Sequence, residues 1–152
     1  MKTFLTILFS LTIAACGGGS DGTGDAAEPG SAPADPSGLT EAQLRNGVGP
    51  VTELEVGPLD EALAARGKEI YELKCSACHK IDERYVGPAL GDVTIRRTPA
   101  FIMNMMLNPT EMTQRHPEAR ALLAEYAAPM ADQNLTEDDA RAILEYLRQA
   151  AN

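Results

Sequence analysis

The sequence predicts an all-α domain of about four to six short helices, preceded by a disordered linker. Three observations carry this. Apolar residues recur at helical spacing through the second half of the chain. Cap residues and prolines punctuate those runs where helices should begin and end. Aromatic residues make up only 5% of the 152 residues, Trp is absent, and neither a repeat nor a strand-rich stretch is visible. That composition suits a small helical domain better than a β-sandwich.

The chain begins as a targeting segment. Lys2 is the only charge in residues 1–15, and an apolar run from Phe4 to Ala15 follows it. The run is too short to span a bilayer and has the layout of a secretory signal. It ends Ile13-Ala14-Ala15-Cys16, which resembles the bacterial lipobox, with Ile13 where Leu is more usual. The resemblance implies that Cys16 is lipidated and becomes the first residue of the mature protein. The plainer alternative is an ordinary signal cut near Ala15, which leaves an exported Cys without a purpose. Residues 17–38 follow with seven glycines in 22 positions and no large apolar residue. Such a stretch cannot bury enough surface to fold, and its mean span is roughly 25 Å. It reads as a tether between membrane and domain.

The helices follow in order. Thr40-Glu41-Ala42-Gln43 is a capping box, Leu39 and Leu44 sit at staple positions, and Gly47 is a stop, giving a helix over 41–46. Val51, Leu54 and Val56 mark an extended stretch lying across the domain. Asp60 caps a helix to about Lys74 whose apolar set is Leu63, Gly67, Ile70 and Leu73. Gly67 costs up to ~1 kcal/mol inside a helix, so either it is merely tolerated or another helix crosses there. Thr98-Pro99 opens a helix that runs to about Leu107 and stops before Asn108-Pro109. Pro117 opens another, through Leu122 and Leu123 to Tyr126. Thr136 caps the last helix, with Glu137, Asp138 and Asp139 at its positive end and Ala140, Ile143, Leu144 and Leu147 on its inward face. The chain thus divides into a leader (1–15), a lipidated Cys with linker (16–38), an N-terminal extension packing on the domain (39–57) and the domain proper (58–152).

Cys75-Ser76-Ala77-Cys78-His79 carries the chemistry. C-x-x-C-H is the c-type haem attachment signal. Two thiols three residues apart reach the two vinyl groups of one haem, and the adjoining His lies beneath the iron. A thioredoxin-like redox pair needs a βαβ context, and half a zinc site needs a second C-x-x-C or paired His; neither accompanies the motif. One covalent haem c is therefore expected. It would also enlarge a core that is modest for this length.

In these landmarks the chain resembles the class I monohaem cytochromes c, over residues 58–149. A helix carrying Gly67 leads into Cys75-Ser76-Ala77-Cys78-His79, then Val86-Gly87-Pro88-Ala89-Leu90, a Met-containing loop, and a C-terminal helix with Tyr146. The resemblance implies that Gly67 and Tyr146 mark the crossing of first and last helices. It implies that Cys75 and Cys78 hold the haem by thioethers, that His79 is the proximal ligand, and that the Pro88 carbonyl supports His79. It places the distal ligand at Met130, after Pro129 and before the Thr136 cap. Met103, Met105 and Met106 fall on a predicted helix and read as packing. Met112, in a polar loop, is the competitor, and an open or His-ligated site is the remaining choice. His116 reads as a solvated surface residue.

Charge narrows the function classes. Thirteen Lys and Arg face twenty-two Asp and Glu, net −9, and losing Lys2 with the leader gives −10. This excludes nucleic acid as a natural partner. Residues 66–97 around the motif carry net +2, while 39–65 and 100–152 each carry −4; this is either scatter on a solvated surface or a dipole turning the haem side toward an acidic partner. With both axial positions filled and no organised acid, base or nucleophile set, the expected function is electron transfer, not enzymatic catalysis. The narrower resemblance of residues 101–147 is to lipid-anchored monohaem cytochromes serving haem–copper oxidases or nitrous-oxide reductase. The expected protein is an exported, lipid-anchored monomer exchanging electrons with a redox donor and acceptor. A gas-binding or sensor haem protein is the alternative; a peroxidase fragment is disfavoured by the single motif, and a four-helix c-type fold by the 73 residues that follow His79.

Overall fold

Helix caps written into the sequence set most of the architecture. The computed structural model describes residues 36–151. The predicted leader, Cys16 and residues 17–35 of the predicted linker lie outside them. Among the described residues are seven helices and no strand: α1 (Glu41–Asn46), α2 (Glu61–Lys74), α3 (Val93–Arg96), α4 (Pro99–Leu107), α5 (Pro109–Arg115), α6 (Pro117–Tyr126) and α7 (Glu137–Ala150).

The predicted caps of α1, α2, α4 and α7 are present. Thr40 and Gln43 form the reciprocal box of α1, the Asp60 side chain accepts the Leu63 N–H at 2.9 Å, and Thr98 accepts that of Phe101 at 3.1 Å. Thr136 caps α7 in a second box with Asp139. Two short helices were not legible. Val93–Arg96 is a single turn with no side-chain cap. Asn108-Pro109 ends α4 as expected, but Pro109 also opens α5; its missing N–H and fixed φ suit a first helical turn as well as a stop.

The core is built on the contact of α2 with α7, and α4 packs on α7 beside it. A Cβ on Gly67 would collide with the backbone carbonyl of Ala142. The helices therefore meet backbone to backbone, as the second reading of Gly67 requires. Tyr71 and Tyr146 stack obliquely next to the crossing, ring centroids 5.2 Å apart. Ala140, Ile143, Leu144 and Leu147 are all buried, as the last helix's pattern predicts. The pattern of α2 needs correction. Its buried residues are Ala64, Gly67 and Tyr71, whereas Leu73 is 85% exposed. The closest approach is made at the small residues Ala64 and Gly67, while Ile70 still packs half-buried against the core as the pattern predicts.

A second cluster gathers Leu39, Val48, Phe101, Met112 and Ala119, with Leu44 against it, so the segment from Leu39 packs onto α4, α5 and α6. Val51, Leu54 and Val56 lie on the main core. Buried Asn104 fastens this segment: its amide donates to the carbonyls of Asn46 and Val51, and its Oδ1 accepts the Val51 N–H. Two expectations are overturned here. Met112 is not in a polar loop; it is fully buried in α5, where its sulfur accepts the Val48 N–H at 3.0 Å. His116 is fully buried, not solvated. Its Nδ1 accepts the Glu118 N–H at the start of α6, so the proton sits on Nε2, which donates to the Leu44 carbonyl at 3.0 Å.

Replacing Gly67 by Ala should lower the unfolding free energy by about 3 kcal/mol, since the methyl meets backbone that cannot rotate away. Denaturant midpoints of wild type and variant check this; equal midpoints would show that the helices can separate freely at this point.

Candidate haem site

The attachment motif begins where α2 ends. Cys75 is the C-cap, its N–H bonded to the Tyr71 carbonyl at 2.8 Å. The Cys75 carbonyl then accepts from both Cys78 and His79, at 3.0 and 2.9 Å. This tight turn puts both cysteines and the histidine on the wall of one cavity. The Tyr71 hydroxyl donates to the His79 carbonyl at 2.8 Å and holds the turn against the core. Burial, with some help from Tyr146 and Cys75, pushes that hydroxyl up to about 12, so it stays a donor. Sequence reading passed over Tyr71, although its spacing from Ala64 and Gly67, i+7 and i+4, was a usable signal.

The loop after His79 folds back as two backbone pairings, Gly87 N–H to the Cys78 carbonyl at 2.9 Å and Leu90 N–H to that of Lys80 at 3.0 Å. These bring the Pro88 carbonyl to 3.0 Å from His79 Nδ1. A carbonyl can only accept, so Nδ1 carries the proton and Nε2 keeps its lone pair for a metal. Gly87 is needed for this approach: a Cβ there would come within 2.5 Å of His79 Cε1 and 2.9 Å of Nδ1.

Opposite walls come from α4, with Ile102, Met105 and Met106, from α6, with Leu122 and Leu123, and from α7, with Ile143 and Leu147. The loop after α6 contributes Pro129 and Met130. Of the methionines considered as ligands, Met105, Met106 and Met130 reach the cavity; Met103 and Met112 do not, nor does His116. Met106 is also part of the main core.

The residues present fit a haem. The cavity is largely apolar, as a porphyrin ring requires, and the fixed charges on its wall are all cationic, Lys74, Arg96 and Arg97, which suits propionate carboxylates. Burial pushes the Cys75 thiol up to about 11 despite Lys74, with Cys78 adding to the rise. Among the described residues no group of three or more His, Cys, Asp or Glu could hold a bare metal ion.

An all-helical domain closed over an apolar cavity, with two thiols and a backbone-fixed imidazole on one wall, is an electron-transfer haem protein holding one covalent haem c. The family model for cytochrome c matches residues 64–151. A cytochrome c from Rhodothermus marinus is 50% identical, matching over 77% of this chain and 97% of its own, with a TM-score of 0.69. An engineered cytochrome c from the same organism is also 50% identical over 72% and 96%, with a TM-score of 0.69. The engineered protein bound to a carbene intermediate matches equally in identity and coverage, with a TM-score of 0.66. No curated protein matches. This chain belongs to the cytochrome c family, with the class I fold.

Gly87→Ala should force the His79 ring off the Pro88 carbonyl. The nitrogen and proton shifts of the imidazole in NMR spectra check this; a ring with an unchanged Nδ1–H signal would mean that the loop yields instead.

Proposed function

We propose that this protein is a lipid-tethered carrier of single electrons in which Cys75 and Cys78 hold the haem by thioethers and His79 and Met130 take the two axial positions. The observation that carries the reading is that His79, with Nδ1 committed to Pro88, and Met130 both face one apolar cavity. Met105 and Met106 also line it, but they belong to a helix packed on the core. Met130 sits on a loop that can bring its sulfur to a metal. The bound haem supplies a one-electron iron couple. The chain's own residues fix the imidazole through Pro88 and surround the group with a largely apolar wall.

The same surface suggests how the carrier meets its partners. Val86 lines the cavity and is also 43% exposed, so it marks the edge at which the group approaches solvent. Leu73 and Tyr85 are exposed nearby in sequence, within the stretch of net +2. A redox partner with an acidic patch around an apolar contact fits this face. A terminal oxidase or nitrous-oxide reductase is the proposed acceptor class, and the protein is proposed to work as a monomer.

Tethering rests on the sequence. Cys16 with its lipobox-like context anchors the chain, residues 17–38 form the tether, 39–57 the packed extension, and 58–152 the haem domain, outside the cytoplasm. Among the described residues no helix is long and apolar enough to cross a membrane, so attachment there would depend on acyl chains.

Met130→Ala should abolish the near-infrared Met–iron band of the oxidised holoprotein, while Met112→Ala keeps it. Loss of the band in the Met112 variant alone would overturn the ligand assignment. For the anchor, fractionation of wild type beside Cys16→Ser should find the wild type in membranes with acyl mass on its N-terminus. A soluble, unacylated wild type would make it a freely diffusing carrier.

A further inference from the structure

The loop that carries Met130 spans residues 127–136, between α6 and the cap of α7. It has no regular structure, and two of its residues, Ala127 and Asn134, sit in the left-handed region at φ 52° and 50° without being glycine. Inside the loop, the Asn134 N–H bonds to the Asp132 side chain and the Gln133 amide to the Ala131 carbonyl. A loop so weakly held by itself needs outside support to present one side chain at a fixed place.

That support comes from the haem-attachment side. Arg84 lies five residues after His79 and Lys74 five residues before it. The Arg84 guanidinium makes three contacts with the end of α6, where the loop starts. It pairs with Glu125 Oε1 at 2.8 Å, donates to the Glu125 carbonyl at 3.3 Å, and lies 4.0 Å from the centroid of the Tyr126 ring. Tyr126 itself lines the cavity. At the other end of the loop, Lys74 Nζ donates to the Gln133 carbonyl at 2.9 Å. The two cations thus bridge the segment bearing His79 to both ends of the segment bearing Met130.

We propose that Arg84 and Lys74 are positioning residues, a pair of clasps across the haem crevice that hold the Met130 loop closed against the distal side. The inference rests on Met130 as the distal ligand. An exposed ion pair by itself contributes little, because solvent screens it and both side chains lose freedom. Here the ion pair, a carbonyl hydrogen bond and a ring contact converge on two adjacent residues, and the ring contact is less sensitive to screening. The clasps act locally: they leave the α2–α7 core untouched, so they bear on loop opening more than on global unfolding.

The test uses holoprotein and imidazole, which competes with the distal side chain for the ferric iron once the loop opens. Arg84→Gln and Lys74→Gln should each bind imidazole more tightly, by roughly fivefold for Arg84 and less for Lys74, with the near-infrared Met–iron band weakened. Arg84→Lys should recover part of the effect. Arg66→Gln is the control: it removes a bridge from a similarly exposed arginine, to the half-buried Asp139, that lies between α2 and α7. It should leave imidazole affinity at the wild-type value. Wild-type affinity in both clasp variants, or an equal shift in the Arg66 variant, overturns the proposal. A wild-type protein with no Met–iron band at all would instead overturn the ligand assignment on which it rests.

Discussion

Contact between two backbones with no side chain between them is the constraint on which the rest of this structure depends. Gly67 leaves α2 free to lie against the Ala142 carbonyl of α7. That closeness brings Tyr71 beside Tyr146 and, one turn further on, aims the Tyr71 hydroxyl at His79. The attachment motif is thus fastened to the core by the residue that the crossing buries. Any side chain at Gly67 would move the floor of the haem cavity as well as the helix.

The two sides of that cavity are built by different means. The side bearing His79 is local: Cys75, Cys78, His79, Gly87 and Pro88 fall within fourteen consecutive residues and are tied by backbone hydrogen bonds. The opposite side is assembled from α4, α6, the Met130 loop and α7. Its rigidity comes from contacts between segments far apart in the chain. Asn104 is a clear case, joining α4 to residues 46–51 through three hydrogen bonds.

Buried polar groups fix this assembly in one arrangement. No buried side-chain nitrogen or oxygen among the described residues lacks a partner. Glu145, fully screened from solvent, accepts from Arg141 and Arg148, and receives the Asp60 N–H at 3.4 Å. Burial works to raise its carboxyl, but the two guanidinium hydrogen bonds outweigh this and hold it below the usual carboxylate range. Arg148 also donates to the Gly57 carbonyl. The extension and the start of α2 are therefore held by groups that cannot be removed singly without stranding a buried partner.

The sequence by itself determined what depends on neighbours along the chain. Caps at Thr40, Asp60, Thr98 and Thr136 and the spacing of Cys75, Cys78 and His79 all act through residues a few positions away, so their chemistry is visible in order. Tertiary structure decided what depends on partners far along the chain. Met112 looked like a loop residue because nothing local reveals that Val48 will cover it. His116 looked solvated because its acceptor, the Leu44 carbonyl, lies 72 positions away. Leu73 looked buried because helical spacing records hydrophobicity, whereas the α2 face is chosen by how closely α7 approaches. Burial is a property of two surfaces, and the sequence of one helix describes only its own.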